Sequence, residues 1–516
     1  MLRRVILIIC CCVFGSVSAL EAPPDLQFDV VRYEVTGSKV MSSAEVTTIL
    51  KPYLGRHYSL AGLASAVEEL EKHLKKKGFS FHRVILMPQS LRDGVVKLRI
   101  YEFKLGNLKV SGNRHFNDLN IKNSLPNLVE GVAPNTRLLN KSLTIANQHP
   151  DKSLQMLFKE GEKQNTIDVE LKVADKSPDT AYAQLANTGS ENSGEIRLAL
   201  GYQYSNLFNL DHIAGINYST STEEPDNVAQ WVLSYSMPFY SIGDKLSFFY
   251  SDSSVASVTL FENNPGLFDV SGIGTVQGVR YMIGFVNIKS YRQTITVGLD
   301  KKVFSNQVSS TDFGNSVSDS TVQSEPVSLE YELSRPKGRS PFAFSVSYFH
   351  NRINDEAYAS QDRVPDTDWG LTRIRGHYDM PLSDWLLRFK LSGQYADRPL
   401  ISAEQFAIGG ARTVRGYEEY ALLGDRGYYS NLEFWKKFKS SQLSGLVFYD
   451  SGQAEFTEVS DPATELRQNI SSVGVGIRWN RGRDLSVVAD LARAQSGFGE
   501  TQKGDSKLHF NMTYKY

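Results

Sequence analysis

The sequence predicts a multidomain chain: two small α+β units, each β-α-α-β-β, followed by an antiparallel transmembrane β-barrel of about 16 strands. Three observations predict it. Between residues 28 and 175 one order of strand and helix signals is written twice. Past Pro178 the helix period stops and short alternating segments recur to the C-terminus. The composition is 41% hydrophobic with a mean hydropathy of −0.30. That excludes a bundle of membrane helices, which needs several apolar stretches of about 20 residues. It leaves room for membrane strands, whose lipid-facing and lumen-facing residues average out. The 57 acidic and 56 basic residues nearly cancel, so the chain lacks the basic excess of a nucleic-acid-binding protein.

Residues 1–19 read as a signal peptide. Arg3 and Arg4 form a positive start, Val5 to Phe14 an apolar core, and Val17-Ser18-Ala19 the small-x-small pattern of a cleavage site. Cys10, Cys11 and Cys12 are the chain's three cysteines, so the mature protein has no disulfide, zinc thiolate or cysteine nucleophile.

The first unit, residues 28–104, opens with a strand from Phe28 to Val35 closed by Thr36-Gly37. A short helix follows near Ala44 to Leu50. A longer helix places Leu60, Leu63, Ala64, Val67, Leu70 and Leu74 on one face, with Glu68/Lys72 and Glu71/Lys75 as i,i+4 pairs on the other. Gly78 stops it. Two strands, Phe79 to Met87 and Val95 to Phe103, turn at Asp93-Gly94. The second unit, residues 105–175, repeats this order. Leu108-Lys109-Val110-Ser111-Gly112 echoes Tyr33-Glu34-Val35-Thr36-Gly37, helices are expected near Asp118–Leu125 and Leu138–Gln148, and the strand from Ile167 to Val173 alternates cleanly. This duplicated layout behind a signal peptide resembles the POTRA pair of outer-membrane transporters. The stretch from Asn147-Gln148-His149-Pro150-Asp151 to Val173 carries most of that resemblance.

Residues 181–516 read as the barrel. Leu508, Phe510, Met512, Tyr514 and Tyr516 face one way, and Lys507, His509, Asn511, Thr513 and Lys515 the other. Val473, Val475, Ile477 and Trp479 oppose Gly474, Gly476 and Arg478 in the same manner. Both segments have the length of a membrane strand. At about 20 residues per strand plus connection, the region holds roughly 16 strands. The aromatic C-terminus resembles the signature by which barrel assembly machinery recognises its substrates. The polar stretches Ser305–Ser324, Ser360–Asp368 and Glu455–Gln468 read as solvated loops, the first as extracellular.

Two motifs point to function. Gly409-Gly410-Ala411-Arg412-Thr413-Val414-Arg415-Gly416-Tyr417 is followed by Gly424-Asp425, and Phe448-Tyr449-Asp450-Ser451-Gly452 lies further on. On strand geometry Phe448, Asp450 and Gly452 share one face, so Asp450 points into the lumen and Gly452 leaves space beside it. Arg415 offers a planar fork of donors that a carboxylate accepts bidentately. Val-Arg-Gly-Tyr resembles the loop that folds back into the lumen of POTRA-plus-barrel transporters, and Phe-x-Asp-x-Gly its partner on the wall. Together with the paired units, the mature chain resembles the hemolysin secretion/activation protein family, the transporters of two-partner secretion. The resemblance implies an outer-membrane protein, with POTRA domains in the periplasm, that binds a large exoprotein client and threads it unfolded through the pore, with membrane lipid and barrel assembly machinery as further partners.

Two related readings share this layout. A factor that inserts other outer-membrane proteins usually carries more POTRA copies, and a passive channel needs neither POTRA copies nor a Val-Arg-Gly-Tyr loop. No cofactor, metal set, nucleophile elbow or catalytic constellation is legible, so no enzymatic activity is expected. With no phosphate loop of the G-x-x-x-x-G-K type, transport is expected to draw on the client folding outside. Many members of the family carry a plug helix before the first POTRA domain. Leu20 to Gln27 is too short for one that reaches the barrel.

Overall fold

The computed structural model describes residues 27–254, 274–308, 318–336, 338, 340–353, 366–438, 442–458 and 465–516. The predicted signal peptide and nearly all of Leu20–Gln27 lie outside them. The chain divides into two compact units, one ending at Lys104 and one running from Leu105 to Tyr516.

The first unit contains β1 (Phe28–Val30), β2 (Arg32–Gly37), α1 (Ser43–Leu50), β3 (Gly55–His57), α2 (Ala61–Lys76), β4 (His82–Leu86) and β5 (Val95–Glu102). The expected opening strand is therefore two: β1 pairs with β3, while β2 pairs in parallel with β5 in a sheet ordered β2-β5-β4. Gly37 ends β2 at φ +98°, where an added Cβ would lie 2.2 Å from the Ile100 carbonyl oxygen. Ser42 starts α1 with a reciprocal capping box to Glu45. The core face of α2 is rotated from the expected one. Leu63, Ala66, Leu70 and Leu74 are buried, whereas Leu60, preceding the helix, is exposed and so is Ala64. The expected i,i+4 pairs do not form either. Lys72 meets Glu69, and Glu71 accepts from Arg83 and the Val84 N–H, tying the helix to β4. β4 is shorter than expected because Phe79 to Phe81 turn off the helix end before the ladder starts.

Leu105 begins the second unit, with β6 (Lys104–Ser111) entering it and α3 (Asp118–Asn123), α4 (Thr136–Ala146), β7 (Lys152–Glu160) and β8 (Thr166–Asp175) following in a sheet ordered β6-β8-β7. Gly112, at φ +89°, repeats the role of Gly37: a Cβ there would lie 2.4 Å from the Val173 carbonyl oxygen. This α+β body is fastened to the barrel that follows it.

The wall is built of β9 (Asp179–Ala186), β10 (Arg197–Leu207), β11 (His212–Ser221), β12 (Ala229–Phe239), β13 (Asp244–Ser253), β14 (Gly274–Gly284), β15 (Arg292–Val308), β16 (Ser318–Ser324), β17 (Pro326–Arg335), β18 (Phe342–Asn351), β19 (Gly370–Leu382) and β20 (Trp385–Ala396). Next come β21 (Phe406–Ile408) and β22 (Leu422–Gly424), which pair only with each other, off the wall. The wall resumes with β23 (Arg426–Lys437), β24 (Leu443–Glu455), β25 (Arg467–Arg481), β26 (Leu485–Ala494) and β27 (Ser506–Lys515), and β27 pairs with β9 to close it. β16 and β17 lie on β15 in one register and form a single strand interrupted at Glu325-Pro326, where proline offers no N–H. The closed barrel therefore has 16 strands. Closure removes every sheet edge, which the bilayer core requires.

Burial is inverted relative to a soluble protein. Val473, Val475, Ile477 and Trp479 are exposed on the outer face, as are Leu508, Met512 and Tyr514. Inward-facing Ser472, Asp490, His509 and Thr513 are buried. The two ends of the Ser305–Ser324 segment differ from the reading as loop: Ser305 to Val308 pair with Ser318 to Thr321 in the ladder of β15 and β16, which runs on to Ser324, while residues 309–317 lie outside the described residues. A polar composition is compatible with a strand that continues past the lipid, where backbone pairing alone maintains it. The centre of the Ser360–Asp368 stretch and of Glu455–Gln468 lies outside the described residues.

The POTRA-like motif around His149 sits at the junction with the barrel. Lys152 Nζ, fully buried, donates to Asp211 Oδ2 at 2.5 Å, to Asn120 Oδ1 at 2.7 Å and to Ser124 Oγ at 2.8 Å. Asp211 ends the β10–β11 turn and also accepts from Asn120 Nδ2 and the Tyr240 hydroxyl. Asp151 accepts from Ser205 Oγ, and His149 Nε2 meets the Ser205 carbonyl at 2.8 Å. Burial opposes the Asp211 charge, but Lys152, His149 and the hydrogen bonds outweigh it and hold this carboxyl below the usual range. Tyr240, from the β12–β13 turn, packs into the core formed by Leu105, Phe116, Ile145 and Leu171.

Candidate functional site

The segment from Asp397 to Asp425, between β20 and β23, turns into the barrel instead of capping it. Asp425, fully buried, clamps its two roots. Its Oδ1 accepts the Leu400 N–H at 2.9 Å, and its Oδ2 accepts the N–H and hydroxyl of Thr457, both at 2.8 Å. Gly409 and Gly410 take φ +115° and +97°, and a Cβ on Gly409 would lie 2.5 Å from the Glu418 carbonyl oxygen. Only glycine adopts this turn freely. Thr413 accepts the Gly409 N–H, and Glu419 accepts the Ala411 N–H, closing the tip on itself.

Val414, Arg415, Gly416 and Tyr417 are all buried. Arg415 donates from Nε to Asp450 Oδ2 at 2.7 Å and from Nη2 to Asp450 Oδ1 at 2.8 Å, a bidentate fork. Its backbone N–H reaches Asp450 Oδ2 at 3.2 Å. Asn431 donates to Asp450 Oδ1 at 2.8 Å and to the Thr413 carbonyl at 2.5 Å. Two further carboxylates meet the guanidinium, Glu433 at 3.0 Å and Asp490 at 3.2 Å. The guanidinium carbon lies 3.4 Å from the centroid of the Phe448 ring, a stacked cation–π contact. One buried cation thus faces three carboxylates on three strands. Arg478, bidentate to Asp490 at 2.6 and 2.8 Å, supplies a second positive charge.

The flanking residues seat the tip. Gly416 has φ +92° and donates its N–H to His509 Nε2 at 2.9 Å. That bond makes Nε2 an acceptor, so His509 carries its proton on Nδ1. The Tyr417 hydroxyl lies 2.8 Å from the Ser496 carbonyl and 2.9 Å from that of Ser471. A Cβ on Gly452 would lie 2.9 Å from Ile408 and 3.1 Å from Val414, so the bare wall there receives the loop. Val447 and Tyr449 face outward.

The structure thus brings Val414, Arg415, Gly416 and Tyr417 against Phe448, Asp450 and Gly452, with Gly409, Gly410 and Asp425 shaping and anchoring the segment. Sequence reasoning missed Asn431, Glu433, Asp490 and His509. The available signal was parity: Asp490 is the lone carboxylate among apolar residues in Leu485–Ala494, and His509 occupies the polar face of the last strand.

Residues 165–479 match the model of the haemolysin secretion/activation protein ShlB/FhaC/HecB family. The chain belongs to this family. Residues 28–102 match the ShlB-type POTRA domain. The heme/hemopexin transporter protein HuxB of Haemophilus influenzae strain 86-028NP is 21% identical over 500 residues, covering 91% of this chain and 84% of that protein. The outer membrane transporter CdiB of Dickeya dadantii is 22% identical over 481 residues, covering 90% and 82%. The structure of CdiB from Escherichia coli superposes with a TM-score of 0.73 at 16% identity over 98% of this chain and 93% of that one, a likeness of fold. As a member of the ShlB/FhaC/HecB family, this chain is a two-partner secretion transporter of the outer membrane, with POTRA domains in the periplasm, and it exports an exoprotein through its barrel.

Proposed function

We propose that Arg415 and Asp450 hold the infolded segment in the pose from which the barrel exports its client, and that the client crosses as an extended, unfolded chain. The observation that supports this is the burial of a bidentate Arg415–Asp450 pair inside the lumen, where neither side chain serves the lipid-facing surface. A dehydrated, geometrically matched pair contributes more to position than to net stability. The POTRA sheets end in strands that can accept an added strand, β4 in the first and β7 in the second, so backbone hydrogen bonds can capture an extended client. The apolar belt meets outer-membrane lipid, and the aromatic C-terminal strand is the contact for barrel assembly machinery. The test is export of the partner exoprotein by Arg415→Ala and Asp450→Ala at normal surface expression. Loss of export in both supports the reading, and wild-type export in both refutes it.

A further inference from the structure

The same infolded segment has a second, oppositely charged foot. Eleven residues before Arg415 in the chain, Glu404 closes a 3-10 turn at Ser402–Glu404 and is 1% exposed. Its Oε1 accepts from Lys302 Nζ at 2.6 Å and from Ser324 Oγ at 3.3 Å, and Arg373 approaches Oε2 at 3.9 Å. Lys302 is on β15 and Arg373 on β19, both pointing inward. Beside Glu404, Leu400 and Ile401 pack into a lumenal apolar cluster that includes Phe304 and Trp369.

The strand order gives this foot its meaning. Counting β16 and β17 as one strand, β15 stands eight strands from β26 in either direction around the ring. Lys302 and Asp490 are therefore on opposite walls. The principal anchor, Asp450 on β24, stands six strands from β15, and the Glu404 carbonyl also accepts from Gln394 on β20, so the segment reaches from the β15–β20 side of the wall, where its anion is held, to the β23–β27 side, where its cation is held. A polypeptide cannot pass such a bar while both feet are seated. The Arg415 foot meets three carboxylates and an aromatic ring, whereas the Glu404 carboxylate accepts two hydrogen bonds and meets one longer ionic contact. The weaker foot is the one that yields.

We propose that Glu404 and Lys302 are positioning residues for export: they form the releasable end of a bar across the pore, and the Glu404 limb leaves the wall while Arg415 stays on Asp450. This rests on the reading that the Arg415 foot sets the export pose. Asp450→Asn tests that reading separately, because its failure appears in export whatever the Glu404 variants do.

The experiment is a double-mutant cycle on the purified full-length protein in planar lipid bilayers, with Glu404→Gln, Lys302→Gln and both. Loss of a charge-assisted hydrogen bond should raise open probability about tenfold in each single variant. The double variant should show no more than either single one, because one interaction is lost in all three. Wild-type open probability in both single variants overturns the proposal, as does strict additivity in the double variant. If Glu404→Gln fails to give a heat-modifiable barrel, Lys302→Gln carries the test alone, and wild-type gating in it overturns the proposal.

Discussion

Replacing Asp450 by asparagine keeps the volume of the wall site and removes its charge. Four donors converge on this carboxylate: Arg415 Nε, Arg415 Nη2, the Arg415 backbone N–H and Asn431 Nδ2. They divide evenly, two on each oxygen. An amide in either orientation turns one oxygen into a donor, so two of the four lose their acceptor. Hydrogen bonds to charged groups contribute about 1.5–3 kcal/mol each. Glu433 and Asp490 remain to neutralise the guanidinium, which places the loss near the lower end, about 3 kcal/mol. That corresponds to roughly a hundredfold shift from docked to released tip. Asp490→Asn removes one 3.2 Å contact from Arg415 and should cost the tip only about 1 kcal/mol, its main effect falling on Arg478. The assay is amide hydrogen exchange across residues 409–420 in detergent micelles. The Arg415 and Gly416 N–H groups report directly, because they bond to Asp450 and His509. Exchange in Asp450→Asn should rise well above that in Asp490→Asn. Equal effects, or none in either, would refute the assignment of Asp450 as principal anchor.

Other outcomes follow from the same geometry. Lys152→Met removes the ammonium partner of buried Asp211 at the POTRA–barrel junction, leaving its charge to hydrogen bonds from Asn120, Ser124 and Tyr240, and should loosen the junction by about 3 kcal/mol, seen as tryptic cleavage near residues 120–152 that the wild type resists. Gly416→Ala places a side chain at φ +92° with its Cβ 3.2 Å from Ala492 and should cost the docked tip about 1–2 kcal/mol, read as faster exchange of the same amides. Glu419, in the lumenal segment, has its pKa raised by burial from 4.5 to about 7, against the pull of the Ala411 N–H, Arg412 and Lys507. Its folded value is the higher one, so its contribution to docking is full below about pH 4.5 and is lost as pH rises through 7. The tip should therefore exchange faster at pH 8 than at pH 6, and Glu419→Gln should flatten that difference.

Alternation of side chains made the barrel legible, because lipid and lumen impose opposite chemistry on successive residues. It also places Asp450 inward from the sequence alone. Alternation says which way a residue points but not how high it sits or which strand faces it. Those depend on ring closure and shear. That is why Asp490, His509 and Lys302 are illegible as partners although each lies at an inward strand position, and Glu404, in a turn of the infolded segment, has no strand parity to betray it. The rotated face of α2 has a different cause. Leu60 precedes the helix, so counting from it set the phase wrongly, and the small Ala66 took the place against the sheet. The two ends of Ser305–Ser324 are strand where a loop is expected, because polar composition does not by itself mean irregular backbone.

The seam between β9 and β27 joins the start of the barrel to its end. Asn187 donates to the Leu508 carbonyl and accepts from the Phe510 N–H, contacts 321 and 323 residues apart in the chain. The Tyr516 N–H closes on the Ala181 carbonyl at 2.9 Å. A growing chain lacks the β27 side of this joint until nearly the whole wall has been made. The Lys152–Asp211 junction, in contrast, needs nothing beyond the first few wall strands. The collar beside the wall can set early, while the hoop itself stays open until β27 arrives, leaving one edge of β9 unpaired for that whole interval.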